Sequence, residues 1–298
     1  MDEILKLEHI NQYNTLRGIE TCHPLVNVFE FSKMKLIPEA RAHYGFYCVF
    51  LKEAVCGDLK YGCNYYDYQE GTLVFIAPGQ VVGIGSKTGI IMPKGWGLLF
   101  HPDLIRGTSL GRNIKEYTYF SYEANEALHL SEKERQIILD CLNKIDHELH
   151  QSIDKHSKKL IANNIELLLN YCMRFYDRQF ITRNHINKDI LVRFENLLDN
   201  YIDSEITKTL GLPTVKHCAD QLHLSANYFG DLIKKETGKS AQEHIQLKLI
   251  NIAKERIFDT SKSVSEIAYE LGFKHPQHFS RMFKNETGYS PNEYRSLN

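Results

Sequence analysis

The chain has 298 residues, of which 43% are hydrophobic and 24% charged, with a formal net charge of −1. That composition suits a folded protein of two domains and excludes long disorder. The near-neutral total neither requires nor excludes a nucleic-acid partner, because a basic face can be offset by an acidic one.

The opening MDEILKLEHINQ has neither a basic start nor a sustained apolar core, so no secretory signal is expected. No stretch approaches the roughly 20 apolar residues that would span a membrane, and a cytoplasmic location without membrane association follows as the expectation. The seven cysteines form no CxxC pair, which argues for buried thiols rather than a zinc cluster or disulfide framework.

Residues 1–125 are rich in Tyr, Phe, Val and Gly and break repeatedly at Gly or Pro. LVNVFEF after Pro24, FYCVFLKEAV after Gly45, DLKYGCNYYDY after Gly57, TLVFIAPGQ after Gly71 and the run Trp96 to Phe100 read as short strands. Such a series closes most easily into a barrel or sandwich.

From Leu130 the pattern becomes helical. Ser131 and Glu134 have the spacing of a capping box, and Ile137, Ile138, Cys141, Leu142, Ile145 and Leu149 recur at helical spacing. Leu160, Ile161, Ile165, Leu168, Leu169, Cys172 and Phe175 mark a second helix. Residues 126–181 therefore either form the seam of a homodimer or pack onto the preceding β domain. Polar Thr182, Arg183, Asn184 and Asn187 mark a domain boundary, after which residues 188–298 read as all helical.

Two segments of that helical region repeat each other. Val215, Ala219, Leu222 and Leu224 match Val264, Ala268, Leu271 and Phe273 at an offset of 49. After one inserted residue, Phe229, Ile233, Lys234, Glu236, Thr237, Gly238 and Ser240 match Phe279, Phe283, Lys284, Glu286, Thr287, Gly288 and Ser290 at 50. Each unit, 215–238 and 264–288, has the pattern of a helix-turn-helix. A small Ala permits close helix approach, an apolar residue fills the turn, and Phe229, Leu232 and Ile233 or Phe279, Met282 and Phe283 form the inner stripe of the second helix. Its opposite face is then free to enter a major groove of double-stranded DNA. Gly238 and Gly288 end those helices, and Ile245, Leu249, Ile252, Ile257 and Phe258 predict a long helix joining the two units.

Residues from about Lys188 to Leu297 closely resemble the DNA-binding domain of the arabinose-regulator (AraC/XylS) family, most specifically in IAYELGFKHPQHFSRMFKNETGYSPNEYR from Ile267. The resemblance implies two readers in one domain, a joined sensory or dimerisation domain, and activation of transcription through contact with RNA polymerase. The first domain, with GTLVFIAPGQ and WGLLFHPDLIRGT, more weakly resembles the cupin-type sensory barrel often joined to such domains. The expected architecture is thus a cupin-like barrel, dimerisation-type helices and an all-α domain with two helix-turn-helix units.

Packing leaves Gln277, His278 and Arg281 on the outer face of the second reader. Arg281 can donate two hydrogen bonds to guanine and Gln277 can pair with adenine; these positions also match base-contacting positions of the resembled family. The first reader holds Gly230 and Asp231 where many members place long polar donors, leaving Asn227 and Tyr228 as its base contacts. Lys234, Lys235, Lys239, Lys274 and Lys284 are placed for phosphate contact; their alternative role is ordinary solvated surface.

Tyr44, Phe46, Tyr61, Tyr65 and Trp96 are candidates to line a pocket for an apolar or planar effector, the alternative being a filled core. No cofactor or metal is expected. His43 and His101 stand alone, no HxH or HxxxH lies between Gly57 and Trp96, and no catalytic constellation can be assembled, so an enzyme is not expected. Three functions remain in view: a ligand-responsive regulator, a regulator controlled by a partner protein or by expression level, and a metal-dependent cupin enzyme.

Overall fold

A computed structural model describes residues 4–38, 40–53, 71–84, 94–122, 126–152, 154–182, 184–204 and 206–296. The chain divides into two compact units, residues 1–182 and 183–298.

In the first unit, β1 (Ile4–Leu7), β3 (Ala40–Tyr44) and β6 (Val81–Ile84) form one sheet, in the order β1-β3-β6. A second sheet has the order β2-β7-β4-β5-β8, from β2 (Val26–Glu30), β4 (Tyr47–Glu53), β5 (Thr72–Ile76), β7 (Lys94–Phe100) and β8 (Leu128–His129). The second sheet is antiparallel throughout, whereas β1 pairs with β3 in parallel. Among the described residues the strands form these two sheets and no closed barrel. The core lies between them and combines Ala42 and Tyr44 with Phe29, Cys48, Phe50, Ile76 and Leu99. Helix α1 (Ile10–Arg17) inserts Ile10 and Tyr13 into the same core.

The other face of the second sheet is also covered, which explains why its strands read as continuous apolar runs instead of alternating ones. Phe75 of β5 packs against Tyr119 and Tyr176, with ring centroids 4.5 and 6.2 Å apart. Short helices α2 (Pro102–Ile105) and α3 (Ser109–Asn113) lead toward α4 (Glu132–Leu149) and α5 (Ser157–Thr182). Helix α4 begins at the expected Ser131–Glu134 capping box. Arg178 of α5 grips Glu134 through two hydrogen bonds of 3.0 and 2.7 Å. Buried Gln179 accepts from the amide of His129 and donates to the carbonyl of Ala127, so its side chain acts as a short extra strand beside β8. Helices α4 and α5 thus pack onto the β region among the described residues.

Of the candidate pocket residues, the three that are described do not share one face. Tyr44 and Phe46 lie in the core, 2% and 0% exposed, with Tyr13 at 6.4 Å from each ring. Trp96 is three residues from core-facing Leu99 on β7, and the period of two along a strand puts it on the opposite face. Tyr61, Tyr65 and the strand expected after Gly57 lie outside the described residues. Gly97 opposes Phe29, whose ring lies where a β-carbon at 97 would stand, so β7 needs glycine there.

The second unit is helical: α6 (Asn184–Asp203), α7 (Ile206–Leu210), α8 (Val215–Gln221), α9 (Ala226–Thr237), α10 (Ala241–Arg256), α11 (Val264–Glu270), α12 (Pro276–Thr287) and α13 (Pro291–Arg295). Helix α10 joins the two repeated units. Helix α6 packs across α8, α9 and α10, with Phe194 edge-on to Phe229 at 4.9 Å.

Candidate nucleic-acid interface

Each repeated unit folds as a helix, a tight turn and a second helix. Ala219 and Ala268 are fully buried, and their carbonyls accept hydrogen bonds from the amides of Leu224 and Phe273, both 3.0 Å. The turn requires a left-handed residue just before these amides. Gly272 supplies it at φ 91°, whereas the first unit uses His223 at φ 58°.

The second helices begin and end under local control. Ser225 accepts from the amide of Tyr228 to cap α9, while α12 starts with Pro276 in its first turn. At the far ends, Gly238 and Gly288 are left-handed and donate to the carbonyls of Lys234 and Lys284. Thr237 and Thr287 repeat one pattern: each hydroxyl donates to the carbonyl four residues earlier, at 2.7 Å. The following capping boxes, Ser240–Glu243 and Ser290–Glu293, also repeat. Their glutamates are held below the ordinary carboxylate range by bonds from the serine and by nearby lysines. The Ser-x-x-Glu spacing at matched positions was readable in the sequence and announces both helix starts.

Helix α12 presents the expected outer face. Gln277, His278 and Arg281 are exposed, while Phe279 and Phe283 are fully buried and Met282 is half-buried. His275 and His278 stand edge-on at 5.5 Å, placing two imidazoles at the start of α12. Lys274 and Lys284 are exposed at its two ends.

Helix α9 presents a poorer face. Asn227 is exposed and Asp231 half-buried, and a β-carbon at Gly230 would meet nothing within 4 Å, so Gly230 faces open space. Tyr228, expected to reach the groove, is instead buried at 5% exposure. Its ring is mostly apolar surface, and burial draws it inward where the equivalent imidazole of His278 stays out. Lys234, Lys235 and Lys239 are exposed.

Arg295 is the last residue of α13. Its guanidinium donates to the carbonyls of Ile257, at 2.6 Å, and Lys262, at 3.0 Å, so α13 clasps the loop that delivers the second unit. Tyr294 packs between Phe258 and Phe283, at 5.8 and 5.3 Å.

Residues 218–296 match the family model described as a helix-turn-helix domain. Over 110 residues the chain is 31% identical to the "Uncharacterized HTH-type transcriptional regulator YtdP" of Bacillus subtilis, covering 37% of this chain and 14% of that protein. It is 31% identical over 156 residues to the HTH-type regulator YfiF of the same species, covering 52% of this chain and 45% of that protein. It is 33% identical over 101 residues to the HTH-type transcriptional activator RhaS of Enterobacter sp., covering 34% and 35%. The chain thus spans less than half the length of each of these relatives. Residues 218–296 thus carry a helix-turn-helix domain, and these relatives are named as transcriptional regulators.

Proposed function

We propose that the chain is a sequence-specific transcriptional regulator that reads two adjacent major-groove segments of double-stranded DNA with α9 and α12. The carrying observation is the outer face of α12, where Gln277, His278 and Arg281 are exposed above a buried Phe279–Phe283 stripe. A planar guanidinium on such a face suits the O6 and N7 atoms of guanine, and a carboxamide suits adenine. Asn227 is the base-contact candidate on α9, while Lys234, Lys235, Lys239, Lys274 and Lys284 hold phosphates.

Activation through RNA polymerase and self-association into a homodimer belong to this reading as extensions of it. Leu160, Leu167 and Met173 leave apolar surface exposed on α5, which suits self-association. For control, the packed contacts among Tyr13, Phe29, Tyr44 and Phe46 favour a partner protein or expression level over a small effector held within that core.

The test is selection of duplexes from a random library by the full chain. Enrichment of a bipartite site, with halves centred about one helical turn apart, supports the reading; a bound pool indistinguishable from the input overturns it.

A further inference from the structure

We propose that α7 and the Gly211–Gly272 contact form a strap that sets the position of the second reading helix relative to the first, and so fixes the half-site spacing the protein accepts. The inference rests on the DNA-reading function proposed above.

The strap begins at Thr207, a polar residue only 2% exposed. Its hydroxyl donates to the carbonyl of Glu270 at 2.8 Å. That carbonyl belongs to the last turn of α11, where a helix leaves its acceptors without partners of its own. Thr207 therefore caps a helix that lies 63 residues further along the chain.

Four residues on, Gly211 donates its amide back to the carbonyl of Thr207 and accepts the hydroxyl of Tyr201 from α6, at 3.2 Å. Gly211 also touches the turn of the second reader. A β-carbon built at Gly272 would stand 2.8 Å from the carbonyl carbon of Gly211 and 2.9 Å from its oxygen. Gly272 is thus constrained twice, by its left-handed backbone and by the approach of a second backbone. Beyond Gly211 the chain passes buried Pro213 and reaches Thr214, the cap of α8 in the first reader.

The consequence is mechanical. Helix α10, which packs against both α9 and α12, and the loop after it, held by Arg295, give the second reader one connection to the first, and a connection along one helix leaves rotation about that helix to be fixed elsewhere. The strap supplies another, running from α9 through α6 and Tyr201 to Gly211, Gly272 and then α12, whose Phe279 stacks edge-on to Phe273 at 5.3 Å. With both in place the reading helices hold one separation, and DNA half-sites at that separation are accepted without distortion.

The experiment uses the full chain and a duplex library in which the two half-sites selected by the native protein are kept constant and the distance between them is varied by single base pairs. The native chain prefers one spacing. Thr207→Val, nearly isosteric and unable to donate, and Gly272→Ala are each expected to lower the preference for that spacing over its neighbours at least about threefold, the scale of one lost hydrogen bond, with half-site sequences unchanged. Thr207→Ser restores the preference. If Gly272→Ala does not fold, Thr207→Val decides. An unchanged spacing profile in a folded Thr207→Val chain overturns the proposal, as does a uniform loss of binding at every spacing. Failure of the native chain to enrich any duplex would instead overturn the DNA-reading function itself.

Discussion

Asp231 on α9 and Arg281 on α12 occupy the same position in their two helices, 50 residues apart, so a carboxylate stands in one reader where a guanidinium stands in the other. The two readers share a backbone design yet differ in the charge they bring toward DNA. In the proposed reading the second discriminates bases and the first contributes chiefly to placement.

Replacing Asp231 tests that asymmetry. A carboxylate facing phosphates is repelled, so Asp231→Asn should tighten binding to any duplex, and the gain should shrink as salt screens it. Fluorescence anisotropy across a salt series measures this. Weaker binding would contradict the repulsion.

Gly230 lies inside α9 with open space where a side chain would stand. A glycine in a helix interior costs roughly 0.5–1 kcal/mol relative to alanine. Gly230→Ala should therefore raise the unfolding free energy of the second unit by about that amount, measured by denaturant unfolding. A loss of stability would place Gly230 against something packed.

The repeat was legible because both readers bury equivalent residues at equivalent spacings, and Phe229 and Phe279 kept their inward roles. The inward turn of Tyr228 has no such signal, because a tyrosine has an apolar body and a polar tip and sequence spacing does not say which end prevails. The spacing of three between Trp96 and Leu99 assigns their side chains to opposite faces of β7. The pairing of β1 with β3 and the strap from Thr207 to Glu270 had no periodic signal, because both join backbone segments distant in sequence. The clasp of Arg295 is of the same kind: a guanidinium near the chain's end bonding carbonyls more than 30 residues earlier.

Burial pushes the Cys218 thiol up to about 11. The thiolate is the reactive form, so Cys218 should resist alkylation at pH 8 in the native chain and react once the second unit opens. Mass spectrometry after timed labelling measures this. Rapid native labelling would contradict the packing of α8 against its neighbours.

The capping glutamates predict an acid response. Glu243, Glu266 and Glu293 are each held below the ordinary carboxylate value, chiefly by bonds to Ser240, Ser263 and Ser290. Groups lowered in the folded state stabilise above the unfolded value and lose that contribution as pH falls through the folded one. Thermal stability should therefore fall as the pH drops below about 5, the range over which carboxylates protonate. A chain carrying Glu243→Gln, Glu266→Gln and Glu293→Gln should show a flatter pH dependence. Identical profiles would remove these boxes from the account.

The most direct measurement is selection of bound DNA from a random library by the native chain and by Arg281→Ala, with matched folding checked by thermal unfolding. Arg281→Ala is expected to relax preference at one position, on the side read by α12, at a cost of about 1–3 kcal/mol for the preferred base, while the other half-site is unchanged. Unchanged base preference at every position, with affinity reduced uniformly, would assign Arg281 to phosphate and contradict the reading of sequence by α12.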